Sequence, residues 1–512
     1  MRILAMGLAA ASAFGLAAPA SANWYVAKSR HFIIYANESP KDLTDFGSRL
    51  ERFDQAVRFV RGMEDPSIGD GNRLTVFVLP SIDSVQRLAG DKTGFLAGFY
   101  EGHASGPVAF VPRHAGEGLG ALSADTIFFH EYAHHLMFQI IDRPLPEWVV
   151  EGFAEFMSTV RFESNGDIGI GGPAYHRAWG LFEATQLPLE TMLGGAYTKL
   201  TNDQRESIYG RGWLLIHYLT FEKARSGQLD KYVQYISEGT PAIDAGRRAF
   251  GDLKQLDKEL NAYLNRSKIT YLRLTGSKFQ AGTIDVQPLS EGASKAILLR
   301  AQSRRGVNDK TAEPLAVQVR AIEVRYPGDE LVELTLSEAE IDAGHADAAE
   351  AAADRAIKAN PRNTDALVLK GRAIAALAQK LEDTARHAQF EKARALFIAA
   401  NKLDTEDPEP LMEFYRAYVA EGLPPNDNAI AALHYASDLA PQDEGLRLNS
   451  AVQYLSAKKP AEARRALIPV AYDPHGGDIA QMARAMIGKI DSGDVAGALA
   501  AMKSKATQAS AH

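Results

Sequence analysis

The stretch TIFFHEYAHHLMFQII, residues 126–141, decides how this chain is interpreted. It carries the pattern H-E-x-x-H in an apolar run that predicts a helix from Ser123 to Ile141. Residues i and i+4 share one face of a helix, so His130 and His134 can direct imidazole nitrogens at one metal ion. Glu131 lies about 100° round the helix, beside that face, where it can act on a metal-bound water. The pattern therefore predicts two zinc ligands and a catalytic base.

The apolar surroundings of these three residues strengthen the prediction. Two histidines and a glutamate placed among side chains such as Phe128 and Met137 lose hydration, which costs free energy unless the polar groups are paired or bind a cation. A bound metal ion explains their presence. His135 lies about 100° from His134 on the helix, so we expect it to be a neighbour of the site or a partly exposed residue and not a ligand.

A second stretch, LPEWVVEGFAEF at residues 145–156, predicts another helix from Pro146 to Val160. Together the two stretches resemble the gluzincin superfamily of zinc metallopeptidases, which includes thermolysin and aminopeptidase N. The W-x-x-E-G-x-A pattern is very similar to that of the aminopeptidase branch. The resemblance implies that Glu151 is the third zinc ligand and that Glu155, one turn later, orients a ligand histidine. A solvent-exposed acid is the alternative for Glu155.

Gluzincins usually add a tyrosine or histidine that stabilises the oxyanion. Tyr209, on or just before a helix predicted from Asp203 to Lys223, is the candidate that the resemblance implies here. The alternative is a tyrosine that only packs in the core. His176 and His217 are weaker substitutes for the same role.

The resemblance implies an enzyme, a zinc metallopeptidase that hydrolyses a peptide or protein substrate by Glu131-assisted attack of zinc-bound water. Endopeptidase action is favoured, because the G-x-M-x-N type element with which aminopeptidases bind a terminal amine is not visible upstream. The alternative is a noncatalytic periplasmic assembly or chaperone-like factor with a structural or vestigial zinc site. Retention of Glu131 favours the enzyme, since a structural zinc site needs ligands but no base.

The residues before the motif alternate between strand-like and helical patterns. The predicted elements are strands at His31–Ala36 and Arg73–Leu79, a helix at Pro40–Val60 and a candidate edge strand at Val108–Val111. This part also resembles the exported peptidase MA-like group. We therefore expect an α+β zincin-like metallopeptidase domain at residues 23–275.

The chain changes character after residue 275. Residues 276–315 are polar and contain glycines, which indicates either a linker or a small subdomain. Residues 316–508 are Ala-rich and helical, and prolines divide them at intervals of 34, 47, 33 and 33 residues; these prolines are Pro327, Pro361, Pro408, Pro441 and Pro474.

An interval of about 34 residues is the tetratricopeptide period, and the interval of 47 fits one period plus an insertion around Lys380 to Gln389. We therefore expect an all-α tetratricopeptide-repeat solenoid after the metallopeptidase domain, with a surface that binds a protein partner. A generic Ala-rich helical bundle is the alternative.

Residues 1–22 have the parts of an export signal. A short positive start precedes an apolar stretch from Ile3 to Ala18 and a small-residue pattern at Ala20–Ala22. We expect cleavage before Asn23 and a periplasmic or secreted protein. An uncleaved membrane anchor is the alternative, although the apolar stretch is short for a span.

Composition excludes several other classes of function. The chain has no cysteine, so it has no disulfide, thiolate ligand or cysteine nucleophile. Its formal net charge is -8 and no basic run could follow a phosphate backbone, so no nucleic acid partner is expected. No later segment is long and apolar enough to remain in a membrane after signal cleavage.

Overall fold

A computed structural model describes residues 24–501, apart from 93, 95, 115–121, 142, 196–199 and 474–475. The predicted signal peptide, Pro474 and the end of the predicted repeat region beyond residue 501 lie outside the described residues. Within the described ranges, no helix combines the length and the apolar character needed to cross a bilayer.

The strands in the described part of the chain form two sheets. Their strands are β1 Tyr25–Lys28, β2 Phe32–Ala36, β3 Leu74–Leu79, β4 Phe99–Glu101, β5 Val108–Pro112, β6 Arg161–Phe162, β7 Ile168–Ile170, β8 Leu272–Leu274 and β9 Asp285–Pro288. The larger sheet has the order β4-β5-β3-β2-β1-β9, in which β2, β3 and β5 are parallel and the other pairs are antiparallel. The smaller sheet is antiparallel, with the order β6-β7-β8.

Helices make up most of the rest. The α+β part contains α1 Pro40–Arg61, α2 Ile82–Ala89, α3 Ala124–Phe138, α4 Glu147–Ser158, α5 Ala178–Phe182, α6 Leu189–Gly194, α7 Asn202–Phe221, α8 Gln228–Ser237, α9 Ala242–Phe250 and α10 Leu253–Leu264. The helices that follow are α11 Glu291–Arg305, α12 Ala312–Glu323, α13 Glu330–Asp342, α14 Ala346–Ala359, α15 Thr364–Ala378, α16 Asp383–Leu403, α17 Pro408–Glu421, α18 Asp427–Leu439, α19 Glu444–Ser456, α20 Pro460–Ala471 and α21 Gly477–Asp491.

The strand predicted at Val108–Val111 is not at the edge of the sheet, so this expectation was wrong. It forms β5, which pairs with β3 on one side and with β4 on the other. The edge strand is β4, a run of three residues at Phe99–Glu101. Three residues among glycines give almost no period-2 pattern, which is why the sequence did not reveal this strand.

One face of the large sheet carries a ladder of stacked rings from four neighbouring strands. The rings follow the order Tyr35, Phe77, Phe110, Phe99, with centroids 5.4, 5.5 and 4.6 Å apart. Ile297 and Ala301 of α11 are buried in the same cluster and cover this face.

Residues 276–315 were expected to form either a linker or a small subdomain. In the structure they pack against both the large sheet and the helices that follow. Their strand β9 pairs with β1 at the sheet edge, in the register Tyr25 opposite Pro288. Their helix α11 covers the ring ladder and also packs against α12 and α13. The stretch therefore joins the sheet to the helices that follow.

Helical repeats occupy the C-terminal part of the described chain. Each helix from α11 to α21 packs against the next. Pro361 and Pro441 follow the ends of α14 and α18, as expected for the second helix of a repeat. The predicted insertion around Lys380–Gln389 lies at the start of α16, which has 21 residues. Small residues allow close packing, because a Cβ at Gly371 would lie 2.4 Å from the Phe397 ring.

The repeats also pack back onto the α+β domain. Met137 of α3 and Val150 of α4 share a buried cluster with Leu467 of α20. The backbone N–H of Ala104 donates to Asp443 Oδ2 at 2.8 Å. The two parts of the chain therefore share an apolar interface beside the motif helix.

Candidate metal centre

Two packed helices bring the predicted ligands together. His130 and His134 lie on α3, which begins where the Ser123 hydroxyl accepts a hydrogen bond from the Thr126 N–H at 3.0 Å. Glu151 lies on α4, which packs against α3. Aromatic packing holds α3 in place on its other side: Phe129 stacks on Phe53 of α1 with centroids 4.1 Å apart.

The three ligand atoms form a small triangle. His130 Nε2 lies 3.1 Å from His134 Nε2 and 3.4 Å from Glu151 Oε2, and His134 Nε2 lies 3.7 Å from the same carboxylate oxygen. Tetrahedral zinc with ligands at about 2.0–2.1 Å requires neighbouring donor atoms about 3.3 Å apart. Two imidazole nitrogens and one carboxylate oxygen are a donor set typical of catalytic zinc, so these residues fit the ion.

Glu155 lies behind the ligands and is completely buried, which excludes the exposed acid considered as its alternative. Its Oε1 atom lies 3.1 Å from His130 Nδ1 and accepts a hydrogen bond from Arg177 at 2.6 Å. Its Oε2 atom lies 2.8 Å from His176 Nε2. Although burial opposes ionisation, Arg177 and His130 hold the pKa of Glu155 well below its usual range.

The electrostatics of the centre favour positive charge. Burial disfavours the imidazolium, yet Glu155 and Glu151 raise the pKa of His130 to about 10. The same two carboxylates would stabilise a divalent cation at the triangle.

Tyr209 reaches the centre from a third helix. The helices α4 and α7 cross closely because Gly152 and Gly212 meet: a Cβ on Gly152 would lie 2.7 Å from the Gly212 carbonyl oxygen. The Tyr209 ring centroid lies 6.2 Å from that of His130. Glu151 and burial raise the pKa of Tyr209, so its hydroxyl remains a proton donor across the physiological range.

Two cavities meet at Glu131, which is partly exposed and lines both. The first, called the tyrosine-side cavity, has a volume of about 600 Å³ and is lined by His130, Tyr209 and Arg177 among others. The second, called the repeat-side cavity, has a volume of about 340 Å³ and reaches from His134 to the repeats. A peptide that extended from one cavity into the other would therefore pass Glu131 and the candidate metal centre.

The three other histidines considered from the sequence differ in their distance from the centre and in their partners. His176 lies beside the centre but is engaged with Glu155. His217 is buried away from it, between the Gly171 carbonyl and the Tyr263 hydroxyl. His135 lies 2.8 Å from the Tyr100 hydroxyl through Nδ1, and burial lowers its pKa to about 3, so it is a neutral buried residue and not the partly exposed one considered as an alternative.

A second group in the described chain is also close enough to share an ion: His31, Asp54 and Asp65. Both ring nitrogens of His31 already contact carboxylates, Nδ1 with Glu51 at 2.7 Å and Nε2 with Asp65 at 3.0 Å. Asp54 accepts a hydrogen bond from the hydroxyl of Tyr132, on the motif helix, at 2.8 Å. These pairings make the group an ionic support for α3, in which His31 and Asp54 are buried and Asp65 is exposed.

The sequence did not reveal His176 and Arg177 as partners of Glu155, or the part of the cavity wall that comes from the repeats. His176 and Arg177 lie in a three-residue 3₁₀ helix that precedes a five-residue helix, and both are too short to show a periodic pattern. The part of the wall that comes from the repeats depends on how two distant parts of the chain pack, which cannot be recognised within one stretch of sequence.

No family model and no curated protein matches the chain. Among solved structures, it is similar to a thermophilic TPR protein from Thermus thermophilus, with 18% identity and a TM-score of 0.32, over 38% of this chain and 96% of that one. At these values the similarity assigns no function. The helical repeats rest on the packing of α11 to α21.

Proposed function

We propose that the α+β part is a zincin-like domain and that the protein is a zinc-dependent metallopeptidase. The observation that carries the proposal is the triangle of His130, His134 and Glu151, with Glu131 beside it at the meeting of two cavities. A zinc ion bound there would supply Lewis-acid activation of water and of the scissile carbonyl.

Each residue then has a defined part in amide hydrolysis. Glu131 accepts the proton of the attacking water and delivers it to the leaving amine. The Tyr209 hydroxyl donates a hydrogen bond to the oxygen on which negative charge develops. Glu155 holds the His130 ring by its Nδ1 atom, so that Nε2 faces the ligand triangle.

The test of this function is Glu131→Gln, assayed on a library of quenched fluorescent peptides. We expect zinc content to stay at the parent level while kcat/KM falls about a thousandfold, because the base is lost but the ligands remain. The matched control is Glu163→Gln, an exposed acid of the same domain, which should leave both quantities unchanged.

Two outcomes contradict the proposal. Activity of Glu131→Gln within about tenfold of the parent would remove Glu131 from the role of base. A parent that binds zinc but cleaves no peptide of the library would favour the noncatalytic assembly or chaperone-like factor instead.

We also propose that the helical repeats bind a protein partner, as such arrays often do, and that the protein is exported by means of residues 1–22. Export is tested by cell fractionation and by the N-terminal sequence of the recovered protein. We expect a periplasmic or secreted chain that begins at Asn23. An intact chain retained in the cytoplasm would contradict it.

A further inference from the structure

The repeat-side cavity has walls from both parts of the chain. The α+β part contributes Glu131 and His134 of the candidate metal centre and the end of β4 at Glu101. The repeats contribute the segment that begins α19, including Glu444, and the segment after α20, including Asp473. The repeats therefore form one side of the space next to the bond to be cleaved.

Carboxyl groups from the two parts line this cavity. Glu444 and Asp473 both line it, and burial together with the nearby charge of Asp473 raises the pKa of Glu444. Burial also raises the pKa of Glu101. Asp443 is engaged elsewhere, since it accepts from Ala104 and caps α19. A cationic group placed beside Glu444 would favour the ionised form of this carboxyl.

A buried amide in the same wall lacks a partner. Gln442 is 5% exposed, and its Nε2 atom is buried without a hydrogen-bond acceptor among the described residues. A buried N–H donor left without an acceptor costs free energy. Because Gln442 lines the cavity, a carbonyl oxygen of a bound peptide could supply that acceptor.

Much of the rest of the wall is apolar, although His103 also lines it, 3.8 Å from Glu101. The apolar side chains come from α3 and the turn after it, from α4 and from the repeats, and they include Met137, Ile141, Val150, Leu448 and Ile479. A surface that is apolar along its length and acidic at one side matches side chains with an aliphatic stem and a charged end. Lysine and arginine have that form.

We propose that the repeat-side cavity is a specificity pocket that receives a lysine or arginine side chain of the peptide substrate. The proposal rests on the function proposed above, because it places this side chain next to the bond that Glu131 acts on. The aliphatic stem lies along Met137 and Val150, and the cationic end pairs with Glu444 and Asp473. The repeats then help to select the substrate.

The experiment compares two peptides that differ in one residue beside the cleaved bond, lysine in one and norleucine in the other. Parent kcat/KM should be about tenfold higher for the lysine peptide, the size expected for one charge-assisted contact. The double variant Glu444→Gln, Asp473→Asn should lose this preference, so that the ratio of kcat/KM for the two peptides falls to about one. The control Glu391→Gln, an exposed acid on α16, should keep the preference.

Binding separates this proposal from the proposed function. Calorimetry with the Glu131→Gln protein should show about tenfold tighter binding of the lysine peptide, and the pocket substitutions should abolish the difference. If the protein bound the lysine peptide more tightly but the parent hydrolysed neither peptide, the peptidase function would be contradicted and the proposed lysine pocket would be supported. The proposed pocket would be contradicted if the parent hydrolysed or bound the two peptides equally well. It would also be contradicted if the double variant kept the preference for lysine.

Discussion

His130 Nδ1 lies 3.1 Å from Glu155 Oε1, while Nε2 of the same ring lies 3.4 Å from Glu151 Oε2. A carboxylate this close to Nδ1 favours the proton on that nitrogen, which leaves the Nε2 lone pair for a metal ion. Arg177 holds Glu155 from behind. This arrangement gives a reason for a buried carboxylate one turn beyond Glu151, the proposed third ligand, and it leads to the first prediction.

Glu155→Gln should weaken zinc binding about tenfold or more, because the amide lacks the charge that makes His130 a strong ligand. Competition with a chelator of known affinity measures the change. Glu163→Gln is the control with the same chemical replacement at an exposed site. Equal zinc affinities for the parent and Glu155→Gln would show that Glu155 supports only the fold.

Tyr209→Phe should lower kcat about a hundredfold and leave KM and zinc affinity near the parent values, because the hydroxyl acts on charge that develops only in the transition state. Steady-state kinetics with one cleaved peptide gives both constants. Tyr271→Phe, at a tyrosine that is 44% exposed, is the control. An unchanged kcat would support the alternative of a packing tyrosine.

The ionic group around His31 predicts a pH dependence of stability. Burial opposes its charge, but Glu51, Asp54 and Asp65 raise the pKa of His31 above the ordinary value. Its contribution to stability is therefore complete below about pH 6.5, the unfolded pKa, and is lost as the pH rises through the folded pKa. Denaturant unfolding between about pH 6 and 9 should show a decrease in the parent that is smaller in His31→Gln. Parallel curves would contradict this account.

Gly102 allows the repeats to approach the α+β domain. A Cβ at this position would lie 2.9 Å from both the Cγ and the carbonyl oxygen of Gln442. Gly102→Ala should therefore reduce the free energy of unfolding by about 1–3 kcal/mol. Gly445→Ala is the control, since its Cβ would meet only Asp443 Oδ1, at 3.5 Å. Equal stability of the two variants would contradict the close contact at Gly102.

The helices around the site could be predicted because their signals are local. The helix expected from Pro146 to Val160 spans Glu147–Ser158, and the one expected from Asp203 to Lys223 spans Asn202–Phe221. The 3.6-residue period and the terminal residues of such helices can be recognised within one stretch. Family resemblance added Glu151 and Glu155, which the structure places against His130.

What the sequence did not show depends on contacts between distant residues. The strand β9 has little pattern of its own and is defined by its pairing with β1, which lies at the other end of the α+β part of the chain. Gln442 and Glu444 lie at a turn between repeat helices, and the sequence of this turn has no feature that marks a site. The packing of the repeats near β4 brings them to the repeat-side cavity. Register and domain packing are long-range properties, so neither leaves a local signal.

Metal analysis of the purified full-length protein is the most direct test of the proposed zinc site. After equilibration with zinc and gel filtration, we expect about one zinc per chain in the parent. His134→Ala should lose that zinc while circular dichroism shows that the helices remain. Less than about half an equivalent in the parent, or an unchanged content in His134→Ala, would contradict the account.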